Sequence, residues 1–176
     1  GSYDSSSQID LKVKGYHNEN ERALESNSIL FSGDSFQLSV EALDSVYIYA
    51  FLIDSSDSVM LLNDDDASFV SKTHTVYFPS DTNNWFQLDE NTGLETIVIA
   101  SSSNKLNVSN ISSPERIDSL KENGAILETF IIKRNKTTTR RTCQSNQKHI
   151  GQEYKYKEIS ERFNMQIGTV MSNLLR

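Results

Sequence analysis

The sequence predicts a mainly β fold: a sandwich-like domain of short strands, with one short helix near residues 113–123. Three observations carry this reading. Ile9, Leu11 and Val13 alternate with other residues, as do Phe36, Leu38, Val40 and Ala42, which is the period of a strand with one buried face. Two short runs, VYIYAFLI over Val46–Ile53 and LETIVIA over residues 94–100, are dense in β-branched, aromatic and apolar residues. Between such segments lie clusters of Gly, Asn, Asp and Ser, the residues that favour turns.

Taken in order, the first strand centres on Ile9, Leu11 and Val13, and a polar stretch rich in Asn and Glu covers residues 17–28. Ser32-Gly33-Asp34 is a turn signal leading into the alternating strand at Phe36. Val46–Ile53 is too short for a buried helix and fits a central strand covered on both faces. The turn over residues 54–57 makes residues 59–62 the second arm of a hairpin. A weaker strand over Thr75–Phe78 ends at Pro79, and residues 89–93 turn the chain into the run at Leu94. Ser112 with Glu115 has capping-box spacing, Ile117 and Leu120 share a helical face, and Gly124 suits the helix end. Residues 125–132 return to strand composition.

From Arg134 to Gln152 the chain is polar and basic without periodicity and reads as a loop. In the last segment Tyr154 and Tyr156, then Phe163, Met165 and Ile167, alternate like strands. Ile159, Phe163, Ile167, Val170 and Leu174 also fit a helix, so periodicity leaves both readings open.

At 176 residues the chain suits one domain of ordinary size, read as residues 9–176, with residues 1–8 a disordered tether that begins with a Gly1-Ser2 cloning scar. The net charge of −7 is unevenly spread: residues 1–132 hold 7 Lys/Arg against 21 Asp/Glu, and residues 133–176 hold 10 against 3. The preferred reading is a basic end lying over an acidic body. A nucleic-acid tail would show a denser Lys/Arg block with interleaved aromatics. No apolar run approaches the roughly 20 residues that cross a bilayer. The single cysteine, Cys143, rules out a disulfide within these residues. The Ser-rich start at Ser5, Ser6 and Ser7 resembles the tether after an export signal, which points to a secreted protein or lipoprotein.

Chemistry-bearing residues are sparse. His17, His74 and His149 sit in no motif, Cys143 has no signature around it, and no Gly-x-Ser-x-Gly elbow occurs. The sequence therefore predicts no enzyme and no cofactor. Asp64, Asp65 and Asp66 supply the hard oxygens that Ca²⁺ or Mg²⁺ accepts, and they are the candidate metal ligands, although the Gly and distant Glu of an EF-hand loop are missing. Zinc-ligand spacing and a Gly-rich phosphate loop are both lacking. The triplets at Asn107, Asn110 and Asn135 fit the glycosylation pattern, which arises by chance in Asn/Ser-rich chains.

The blocks SGDSFQLSVEA, VYIYAFLIDSSDSVMLL, YFPSD and FQLDENTGLETIVIASS, followed by a Ser-Pro helix, resemble the bacterial family called domain of unknown function 4384. The resemblance covers residues 9–134. It departs after Leu62, where such domains often carry a Phe-Pro pair and this chain has Asn63-Asp64. It implies a β-rich accessory domain of exported or envelope proteins, or one attached to caspase-like peptidase, kinase or repeat modules. It supplies no catalytic or ligand residues. Gly33 and Gly93 read as turn residues that tolerate positive φ, and Tyr47 and Tyr49 as core residues with hydroxyl partners.

The segments YKEISERF and IGTVMSNLLR, between Tyr156 and Arg176, resemble the helix-turn-helix of sigma-factor region four, which would place a recognition helix in the major groove. Two readings of function follow. The first is a non-catalytic binding or scaffolding module of the periplasm or cell envelope, exported and lipid-anchored in one version, whose partner is a protein or envelope component and not nucleic acid. The alternative is a DNA-binding regulator that uses the C-terminal segment.

Overall fold

In the computed structural model, which describes residues 7–64 and 68–136, the alternating segments become strands. β1 (Ile9–His17) turns back into β2 (Asn20–Leu24). Residues 17–28, read from the sequence only as polar, thus contain a strand. Its cause is a two-residue turn in which Asn18 and Glu19 both take positive φ, 49° and 66°, the geometry that matches the twist of paired strands. β3 (Ser28–Phe31) follows, then β4 (Ser35–Ala42), β5 (Val46–Ile53), β6 (Val59–Leu61), β7 (Ser68–Val70), β8 (Thr75–Phe78), β9 (Phe86–Gln87), β10 (Gly93–Ser102) and β11 (Ile126–Asn135).

Among the described residues the strands form two sheets. One runs β2-β1-β4-β8, with β9 also paired to β4; the other runs β3-β11-β10-β5-β6, with β7 also paired to β5. The expected hairpin of β5 and β6 is present, with Phe51 opposite Leu61. Every pairing is antiparallel except that of β3 with β11.

The main core is drawn from both sheets: Ile9 and Val13 of β1, Phe36, Leu38 and Val40 of β4, Ile48 and Leu52 of β5, and Ile97 and Ile99 of β10. The other face of β5 and β10, with Tyr49, Phe51 and Val98, packs against Ile117, Leu120 and Leu106 in a second cluster. β5 is therefore covered on both faces, as its unbroken apolar run requires.

The helix α1 (Pro114–Asp118) continues as a 3-10 turn over Ser119–Asn123, and Gly124 ends it with φ 92°. The N-cap is Ser113, not Ser112 as the Ser112/Glu115 spacing suggested; its side chain accepts the Arg116 N–H. Proline explains the shift. Pro114 has no N–H to offer and fits the first helical position, so the residue before it caps. β11 also runs past the expected end at residue 132, because its register on β10 continues to Gly93 opposite Arg134. Arg134 and Asn135 are strand and not the start of a loop.

Ser7 and Gln8, read as the end of a tether, already bond to the body: Ser7 Oγ donates to the Ile9 carbonyl at 2.6 Å, and the Leu43 N–H donates to the Gln8 carbonyl at 2.8 Å. The readings of residues 156–176, of Cys143 and of His149 lie outside the described residues. Among the described residues, no helix is long and apolar enough to cross a membrane.

Candidate binding face

Alternation along β1 sends Ile9, Leu11 and Val13 into the core and therefore puts Lys12 and Lys14 on the opposite, outer face. The register carries that face across the sheet. Lys14 lies opposite Gln37 of β4 and Ala23 of β2, Lys12 lies opposite Ser39, and Ser39 lies opposite Tyr77 of β8. Together with Arg22 these residues line a groove of about 430 Å³, within the roughly 300–1,000 Å³ of ligand pockets.

The groove is chemically mixed. Lys14 Nζ is 3.3 Å from Glu21 Oε1, with both side chains half exposed. Arg22 Nη2 donates to the Ile29 carbonyl at 2.9 Å. Gln37 Nε2 donates to the carbonyls of Thr82 and Asn84 at 2.8 and 2.6 Å, which fixes the carboxamide. Tyr77 is 44% exposed on a short edge strand. Cations, a held carboxamide, a hydroxyl and an aromatic ring can bind an anionic or hydrogen-bonding ligand. The lining holds no His or Cys to act as base or thiol nucleophile.

The residues singled out from the sequence lie elsewhere. His17 Nδ1 is 2.6 Å from Asp34 Oδ1, beside the turn into β4. His74 is exposed near the Lys72 carbonyl. Asp64 is exposed and its carboxylate accepts the Ser80 hydroxyl, while Asp65 and Asp66 lie outside the described residues. Among the described residues, no group of three or more His, Cys, Asp or Glu could hold a metal ion. Lys12 and Lys14 were not singled out, although their i, i+2 spacing in an alternating segment was the available signal.

A buried ionic cluster closes the end of the second sheet. Arg134 Nη1 bonds to Glu95, and its Nη2 donates to the Asp89 carbonyl at 2.8 Å and to Asp89 Oδ1 at 2.5 Å. Glu95 is 1% exposed and Arg134 5%. Glu95 Oε2 and Arg134 Nε have no hydrogen-bond partner. Burial pushes the Glu95 carboxyl up to about 7, against the pull of Arg134, and the charges of Asp54 and Asp89 add to the rise. Burial also works against the Asp89 carboxylate, but bonds from Arg134 and Asn91 outweigh it and hold Asp89 below its ordinary value.

Fold and face together define a two-sheet β domain with a groove on the outer surface of one sheet. Residues 30–105 match the family model described as Domain of unknown function (DUF4384). The match supports the resemblance that the turn and strand blocks of the sequence indicated. No curated protein matches the chain. The matched span runs from the end of β3 through β10 and so includes strands of both sheets. Within it Gly33 and Gly93 take φ of 90° and 119°, and Tyr49 accepts the Leu106 N–H at 2.8 Å, the roles expected of them.

Proposed function

We propose that the chain is a non-catalytic binding module of a bacterial exported or envelope protein. The observation that supports this reading is the groove on the outer face of β1, β4 and β8, where charged, polar and aromatic side chains from distant parts of the chain converge on a rigid sheet. Sites built on strands hold their geometry without ligand and so bind with little ordering cost. The export setting rests on the family resemblance and the Ser-rich start.

The test is a titration of isotope-labelled protein with a library of small fragments and short peptides, followed by NMR. Shift changes are expected to gather on Lys12, Lys14, Gln37, Ser39 and Tyr77, and a broad hydrolase screen is expected to stay blank. Turnover that disappears in His17→Ala would overturn the reading, as would ligand shifts that avoid this face.

A further inference from the structure

We propose that the groove across β2, β1, β4 and β8 docks a short extended peptide with acidic side chains at alternating positions. This rests on the reading of the face as a binding face and names its occupant. Charge is the first argument. Residues 1–132 carry 7 Lys/Arg against 21 Asp/Glu, yet the groove sets the two ammonium groups of Lys12 and Lys14 side by side against the single lining carboxylate of Glu21, while the Arg22 guanidinium is turned to the Ile29 carbonyl. A positive patch on an acidic body selects a negative ligand small enough to stay within it.

Spacing is the second argument. Lys12 and Lys14 are exposed on one face of one strand, so their stems repeat every ~6.8 Å, twice the strand rise. An extended peptide repeats its own side chains at the same distance, whereas a helix repeats near ~5.4 Å. Carboxylates at positions i and i+2 of a peptide laid along β1 therefore meet both ammonium groups in register. The Lys14–Glu21 pair is half exposed on each side and is readily exchanged for an incoming carboxylate. With both amide hydrogens given to Thr82 and Asn84, Gln37 keeps its oxygen to accept a peptide N–H. Tyr77 walls the far side.

The chain's own residues 137–176, with seven Lys/Arg against three Asp/Glu, lack the charge to fill this groove. A long polyanion would overrun it onto the acidic body, within the ~8 Å over which charges act at physiological salt.

The test is fluorescence anisotropy with labelled peptides and the full chain. One peptide alternates Glu and Thr, a second has the same composition with its glutamates in one block, and a third alternates Lys and Thr. A single-stranded oligothymidylate is the polyanion control. The alternating acidic peptide is expected to bind best and to weaken as salt rises. The Lys12→Gln/Lys14→Gln double variant should bind it at least tenfold more weakly with an unchanged circular dichroism spectrum. Lys105→Gln, away from the groove, should bind as the parent does. Equal binding of the blocked peptide, or an unchanged affinity in the double variant, overturns the proposal. Tighter binding of the oligothymidylate assigns the face to polyanions instead. If no peptide binds while fragments still shift Lys12 and Tyr77, the peptide proposal fails and the binding face stands. If neither binds, both fail.

Discussion

His17 Nδ1 lies 2.6 Å from Oδ1 of Asp34, and the second oxygen of that fully buried carboxylate accepts the Phe31 N–H at 2.8 Å. The pair ties the end of β1 to the turn between β3 and β4. The same turn is fixed by backbone bonds from Gly33 N–H to the Leu88 carbonyl and from Leu88 N–H to the Asp34 carbonyl, at 3.0 and 2.8 Å. Asp34→Ala strips the acceptor from a part-buried N–H and from the imidazole together. The expected loss is about 3 kcal/mol in urea unfolding, in the range for breaking a buried charged contact. Asp34→Asn, which keeps one acceptor oxygen, should lose less. A cost within error for Asp34→Ala would show that the turn holds without the carboxylate.

Glu95 gives a pH dependence of definite sign. Its carboxyl titrates near 7 in the folded protein, against an ordinary 4.5. Between these values the folded state holds a proton that the unfolded chain has released. This group's contribution to stability is therefore fully present below pH 4.5 and is lost as pH rises through about 7. Glu95→Gln should flatten that part of the profile, measured as urea midpoints between pH 4.5 and 7.5. Parallel profiles for parent and variant would contradict the assignment.

Gly93 cannot carry a side chain cheaply. Its φ is +119°, and a β carbon there would sit 2.7 Å from the β carbon of Ser55. Gly93→Ala is expected to cost about 2 kcal/mol or more from strain and overlap together, read as a fall in Tm. Ser55→Gly in the same chain should recover only the overlap and leave the backbone strain. Full recovery would put the whole cost in the contact.

Asn63, where the chain departs from the pattern of the family it resembles, is a buried staple. Its Oδ1 accepts the Ala50 N–H, and its Nδ2 donates to the Ile48 carbonyl and to Ser68 Oγ, each at 2.9 Å. Asn63→Ala leaves β5 backbone groups unpaired and should cost about 2–3 kcal/mol, scored by thermal unfolding. Asn63→Asp, which keeps the acceptor and loses the donor, should fall between parent and Ala.

What could be read from the sequence follows from where each element gets its stability. β4, β5 and β10 bury side chains through their own alternation or apolar density, so a local pattern revealed them. β2 buries only Leu24 and exists because the Asn18-Glu19 turn folds it onto β1. β3 is held by β11, whose partner residues lie more than 100 positions away in the sequence, as with Ser28 and Ile132. The groove was hidden for the same reason. Lys12 and Lys14 alone look like ordinary exposed lysines, and only the register of β4 and β8 brings Gln37, Ser39 and Tyr77 beside them. Glu95 and Arg134 likewise meet because Gly93 pairs with Arg134 across β10 and β11.

The parallel pairing of β3 with β11 also sets a schedule for biosynthesis. Phe31 pairs with Asn135, so about 100 residues are translated after β3 before its partner exists, roughly 5–20 s at ordinary elongation rates. For that interval the edge of β3 that β11 will fill is open to any other chain, and that of β10 joins it once Gly93–Ser102 is made. The second sheet, over the described residues, is therefore completed only once β11 emerges.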